Sequence, residues 1–244
     1  MNLRRHLAEL QVALMLLTRL PAGRIEGAVP DLAAARWAFP IVGGLIGFLT
    51  WSAYASASAL SAPPAIASLL ALAVLALLTG ALHFDGLADY ADGIGGGRDK
   101  AHALEIMRDS RVGSYGMLAM IIVVGLWALS ITIVDPGLLA FVGAAVLSRA
   151  GMAALQGLLP PARSDGMARS AAGRNRVAKV VVAAVAVVAL LFWPVPLGVC
   201  IVLVALTGWL AKRKIGGQTG DVLGAAQLLS ETAIWVALAC LTNA

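Results

Sequence analysis

The sequence predicts an all-α fold: a polytopic membrane helical bundle of six or seven transmembrane helices, preceded by an N-terminal amphipathic interfacial helix. Three observations predict it. First, 60% of the 244 residues are hydrophobic and only 13% are charged, against about 25% charged in a soluble domain, whose surface must stay wet. Second, the apolar residues gather into runs close to the ~20 residues that a spanning helix needs, and the mean hydropathy is +0.89. Third, Lys and Arg collect in alternate connections, as the positive-inside rule requires of a multi-pass protein. The whole chain, 1–244, reads as a single integral-membrane domain. Its formal net charge of +5 then reflects topology and contact with anionic membrane lipid, with no nucleic-acid partner. Cys200 and Cys240 lie in apolar runs without metal-ligand spacing and read as small hydrophobes.

Residues 1–36 form the interfacial segment. Leu3, Leu7, Leu10, Leu14 and Leu17 recur at helical spacing, Glu9 interrupts the apolar run and Arg19 closes it. No small-x-small cleavage site follows, so the alternative is a retained signal-anchor. Apolar runs then mark spans at 37–59, 64–83, 117–134, 138–158, 177–193, 197–211 and 223–241. The fifth and sixth are short and separated by Pro194-Val195-Pro196, so they are either two spans or one tight hairpin. Gly43, Gly44, Gly47, Gly143 and Gly151 suit close packing between helices. The turns at 61–64, 135–136 and 193–196 carry no Lys or Arg, whereas the other connections hold the basic residues. With seven spans, every Lys and Arg except Arg149 falls on one side, which the rule makes the cytoplasm. Segments 84–116 and 212–224 are then cytoplasmic and hold the catalytic chemistry.

Asp85, Asp89 and Asp92 stand at i, i+4 and i+7. On a helix continuing from the second span they share one face. Three like charges in a row suggest a divalent cation, and Mg²⁺ is held by a few carboxylates plus substrate phosphates. The plainer alternative is that they cap and break the helix beside Gly86 and Gly93. Gly95-Gly96-Gly97-Arg98 lets backbone amides and Arg98 approach a phosphate, or simply turns the chain. Glu105 and Asp109, again four apart, flank Arg108 and neighbour Arg111. They offer a second metal-ligating pair, or else ion pairs within their own helix. A glycine-rich loop at 216–224 carries Gly217, Thr219 and Asp221 and reads as a second phosphate or substrate loop. Arg149 and Glu231 are opposite charges inside spans, either a structural pair or substrate contacts. His83 is a candidate general base or ligand, or a helix-end histidine with a structural hydrogen bond.

Three stretches together, His83 to Gly93, Met107 to Gly116 and Gly217 to Ala225, with the opening Leu16-Leu17-Thr18-Arg19-Leu20-Pro21, resemble the cobalamin synthase family (adenosylcobinamide-GDP ribazoletransferase). The resemblance spreads over nearly the whole chain in the family's order. It implies a multi-pass enzyme of the bacterial inner membrane with its active site facing the cytoplasm. It also implies Mg²⁺-dependent transfer of the adenosylcobinamide-phosphate moiety of adenosylcobinamide-GDP to α-ribazole or its 5′-phosphate, with release of GMP. Asp85, Asp89, Asp92 and Asp109 would serve as metal ligands and Arg98, Arg108 and Arg111 would offset charge on the leaving group. Oligomeric state is left open. Two rival readings are a CDP-alcohol phosphatidyltransferase, whose Asp-Gly-x-x-Ala-Arg pattern is not met after Asp85, and a cation-coupled transporter.

Overall fold

A computed structural model describes residues 3–163, 173 and 175–242. Among them the chain is helical: α1 (Leu3–Leu17), α2 (Leu32–Ala35), a 3₁₀ turn (Arg36–Ala38), α3 (Phe39–Ala59), α4 (Pro64–Thr79), α5 (Leu82–Gly96), α6 (Lys100–Ile106), α7 (Ser114–Val134), α8 (Leu138–Leu158), α9 (Arg176–Phe192), α10 (Pro194–Ile215) and α11 (Gly220–Thr242). Five of the described segments are long and apolar enough to cross a membrane: 32–59, α7, α8, α10 and α11. The bent pair α4–α5 makes a sixth if it is taken as one span. The difference from seven lies in α4, which stops at Thr79 rather than His83, and in α9, which has 17 residues, about 26 Å of helix.

That stop corrects an expectation. Asp85, Asp89 and Asp92 do not continue the second span, because α4 and α5 meet at 88°. Gly80 and Ala81 both adopt left-handed backbone, with φ of 61° and 58°. Gly80 is the usual residue for such a helix end, while Ala81 bears a steric cost there. Arg19 lies against Gly80, where any Cβ would collide with its side chain. The Arg19 amide donates to Leu78 O at 2.7 Å. The N-terminal segment therefore braces the bend.

Helix α1 packs against α2, the 3₁₀ turn and α3. Glu9 is not a simple interruption of its apolar run. It is buried, and its carboxylate accepts from Arg5 Nε at 3.0 Å and Trp37 Nε1 at 2.7 Å, with His6 Nδ1 at 2.9 Å. Burial pushes that carboxyl up, but the hydrogen bonds from His6, Trp37 and Arg5 outweigh it and hold the group below its usual value. Leu3 and Leu7 stay on the outside, as an interfacial helix needs.

Helix α11 is the hub, in contact with α5, α7, α8 and α10. Trp127, Phe141 and Trp235 meet with ring centroids 4.9–6.4 Å apart. Gly43 and Gly47 let α3 approach α8 so closely that a Cβ would sit 2.6 Å from Ala145 O and Phe141 O. The two intramembrane charges do pair: Arg149 Nη1 donates to Glu231 Oε2 at 3.0 Å, with both side chains buried. Gln227 Nε2 (2.6 Å), Ser148 Oγ (3.2 Å) and Trp127 Nε1 (3.4 Å) also donate to Glu231. The pair joins α8 to α11 as part of the core.

Candidate active site

The acidic site forms where α5 crosses the start of α11. Gly86 and Gly224 make the crossing close: a Cβ on Gly86 would lie 3.2 Å from Asp221 O and 3.3 Å from Gly224 Cα. One glycine from each helix thus brings Asp85 and Asp89 up to Asp221. The loop before α11 is fixed by backbone pairing, with Gln218 N donating to Pro160 O and Ala162 N donating to Gln218 O, both at 2.8 Å. Thr219 then caps α11: its Oγ1 accepts from Val222 N at 3.3 Å and donates to Asp221 Oδ2 at 3.0 Å. Gly217 lies against Pro160, where a side chain would collide with the carbonyl. Gly217 and Thr219 are therefore placed as builders of the loop, and Asp221 as its charge.

The electrostatics are lopsided. The charges of Asp85, Asp221 and Asp92 all act against that of Asp89, and Arg163 offsets them. Arg163 Nη2 stands 4.0 Å from Asp221 Oδ2 and donates to Leu104 O at 3.1 Å. It was absent from the sequence-predicted site, where it counted only toward topology. Its signal lay in its place: the first charge after α8, two residues beyond Pro161, which pairs with Gln218.

His83, one turn before Gly86, is buried, and its Nε2 has no partner among the described residues. It lines a cavity of about 110 Å³ with Asp85, Asp221 and Gln156, roofed by Leu16 and Leu17 of α1 and by Phe39. The cavity is mostly apolar with a few convergent polar groups, as ligand sites are.

The remaining candidates stand elsewhere. Asp92 is buried and spans to the start of α7, accepting from Gly113 N at 2.7 Å and Gly116 N at 2.9 Å. Helix α6 ends at Ile106, so Glu105 and Asp109 are not a helical i, i+4 pair. Asp109 instead accepts from Arg111 through its backbone N (3.0 Å), Nε (3.0 Å) and Nη2 (2.6 Å). Those bonds hold its carboxyl at about 2. Glu105, Arg98, Arg108 and Arg111 are exposed on the α5–α7 connection. Arg149 and Glu231 lie in the core described above.

Among the described residues no three His, Cys, Asp or Glu side chains sit close enough to cage a metal. Mg²⁺ does not need such a cage, since it keeps several waters and takes one or two carboxylates plus substrate phosphates. Asp85, Asp89 and Asp221 are hard oxygen donors, and one or two of them together with substrate phosphates would fit that demand.

Fold and site define an integral-membrane helical protein with a carboxylate-rich site at one end of the bundle. The family model for cobalamin-5-phosphate synthase matches residues 9–239. The adenosylcobinamide-GDP ribazoletransferase of Bradyrhizobium diazoefficiens is 44% identical, over 96% of this chain and 94% of its own. Those of Azorhizobium caulinodans (40% identical, 94% of each chain) and a Sinorhizobium species (43%, 90% of each) are similar. No solved structure matches. The chain belongs to the cobalamin-5-phosphate synthase family, and it is a transferase. The phosphatidyltransferase and transporter readings fall with that assignment.

Proposed function

We propose that the protein catalyses Mg²⁺-dependent transfer of the adenosylcobinamide-phosphate moiety of adenosylcobinamide-GDP to α-ribazole or its 5′-phosphate. The site faces the cytoplasm of a bacterial inner membrane. The observation that carries the reading is the meeting of Asp85, Asp89 and Asp221 across the Gly86–Gly224 crossing, with Arg163 beside them. A ribose hydroxyl of the ribazole that is free in both acceptors, and so not the 5′ oxygen, attacks the phosphorus bonded to the cobinamide arm. The bond from that phosphorus to the bridging oxygen breaks, and GMP leaves with the electron pair. Such a reaction asks the protein to position groups and spread charge. One or two of Asp85, Asp89 and Asp221 would hold Mg²⁺, which when bound neutralises pyrophosphate oxygens. Arg163 offsets charge on the same group, and Arg98, Arg108 and Arg111 lie on the connection that would meet the guanylate. The proton of that hydroxyl passes to His83 Nε2, which has no partner among the described residues.

The test is reconstitution. Detergent-purified protein given adenosylcobinamide-GDP, α-ribazole and Mg²⁺ should release GMP and form adenosylcobalamin in equal amounts. Asp85→Asn, Asp89→Asn and Arg163→Gln should each lower turnover at least ~100-fold while the protein still inserts and elutes as one species. Folded protein with no product overturns the reading. Full activity without divalent metal moves Mg²⁺ out of it.

A further inference from the structure

Arg36 is a feature that this chemistry leaves unused. It is 2% exposed, and its Nη1 is buried without a hydrogen-bond partner among the described residues. The ion pairs among the described residues do not include it. A buried cation without a counter-charge is costly, so its surroundings call for an anion. The guanidinium lies over Gly157 of α8, where a Cβ would come within 3.3 Å of Nη1.

Arg36 and Lys179 line one cavity of about 240 Å³ between α8 and α9. It shares Ala154 and Val182 with a second cavity of about 240 Å³, which in turn shares Leu147 and Val185 with a third of about 470 Å³. The three make one apolar slot along α8 from Gly157 to Gly143, where Trp193 closes the far end. That stretch of helix is about 21 Å long at 1.5 Å per residue, enough for the ~15 Å of one leaflet of a ~30 Å hydrocarbon core. On α9 only Ala178 is fully buried, and Val182, Val185 and Ala186 are half-buried, so the α9 wall of the slot stays partly open. Asn175 fixes the mouth by capping α9 at Ala178 N (3.0 Å) and donating to Ala33 O and Ala34 O (both 2.9 Å). The positive end of the α9 dipole therefore sits beside Arg36.

We propose that this slot is a binding site for an anionic phospholipid, with its phosphate on Arg36 and Lys179 and one acyl chain between α8 and α9. Charge selects the headgroup, and the apolar slot selects a lipid over free phosphate. The mouth opens at the end of the bundle that holds the acidic site, since Arg36 lies between Leu32 and Phe39, both of which line that cavity. Anionic lipid would hold α9 against α8 there.

The test is lipid retention by native mass spectrometry. Protein is extracted from vesicles of phosphatidylethanolamine with one-quarter phosphatidylglycerol, or with one-quarter phosphatidylcholine instead. The wild type should keep one phosphatidylglycerol and at least ten-fold less phosphatidylcholine. Arg36→Gln should cut phosphatidylglycerol occupancy about ten-fold, Lys179→Gln about three-fold, and Ala186→Trp, which plugs the slot, should abolish it. Lys179 is exposed, so its variant folds even where Arg36→Gln does not. Equal retention of both lipids, or retention unchanged in Lys179→Gln and Ala186→Trp, overturns the proposal. So does displacement of the lipid by millimolar inorganic phosphate.

Discussion

Asp92 and Asp89 stand three residues apart on one helix, yet the fold gives them opposite duties, and asparagine separates the two. Asp92 receives two backbone amides from the first turn of α7, each a hydrogen bond to a charged group worth about 1.5–3 kcal/mol. Asparagine keeps one acceptor and turns an NH₂ toward the other amide. The expected cost of Asp92→Asn is about 2–4 kcal/mol, a large share of the ~5–15 kcal/mol that holds a domain together. At about 2–4 °C per kcal/mol for a chain of this size, the unfolding midpoint should fall by about 4–16 °C. Asp89→Asn removes a charge that three carboxylates oppose, so its midpoint should hold or rise while turnover collapses. Thermal unfolding in detergent, read by tryptophan fluorescence, gives the first quantity. GMP release per folded molecule gives the second, and Asp92→Asn should keep at least a third of it at low temperature. An unchanged midpoint with lost turnover in Asp92→Asn would refute the reasoning and put that carboxylate in the chemistry.

Gly86→Ala should push α5 from α11 and lower turnover at least ten-fold with secondary structure intact, because its Cβ would meet Asp221 O at 3.2 Å; circular dichroism and GMP release check both. Arg149→Met and Glu231→Leu should each cost about 3–5 kcal/mol by stranding a buried charge, and the double variant should recover most of it; a double variant as unstable as the sum would show no coupling. Glu9 carries the pH dependence. Its folded value is depressed, so its stabilisation is present above the unfolded value of 4.5 and is lost as pH falls through the lower folded value. Proteolysis within residues 1–20 should therefore speed up below pH 4, and Glu9→Gln should show the faster cleavage already at pH 7.

Much of the fold was legible because hydropathy and charge report directly on lipid and topology. The apolar runs at 117–134 and 138–158 match α7 and α8 almost residue for residue. The bend at Gly80–Ala81 was missed although Gly80 is a usual helix-stop residue, because the apolar run continues past it to Leu82 and the left-handed Ala81 is braced by Arg19, some sixty residues earlier. Helical spacing correctly put Asp85, Asp89 and Asp92 together on α5. It could not see that Gly113 and Gly116 would come back to claim Asp92, because that contact spans more than twenty residues of chain. Spacing also paired Glu105 with Asp109 on a helix that stops at Ile106, where Asp109 prefers the local fork of Arg111. Arg163 was hidden for the same reason as Asp92: what matters is the Pro161–Gln218 pairing that delivers it, a contact between two loops.

The bend explains why such a site can exist at all on a membrane bundle. Had α5 continued α4, Asp85 and Asp92 would stand about 10 Å apart along the axis of the second span. Turning the chain by 88° lays the acidic row across the end of α4 instead. Two features then convert a row into a site. Asp92 ties the far end of α5 to α7, and the Gly86–Gly224 crossing admits α11 from the side, adding Asp221 without moving Asp85 or Asp89. Below that crossing α11 is anchored to α8 by Glu231 and Arg149, so the charge-poor core fixes the register at which Asp221 arrives. A slip of one residue in α11 would rotate Asp221 by about 100° away from α5. Stability of the buried pair and geometry of the acidic site are therefore set by the same helix, and loss of the first should disorder the second.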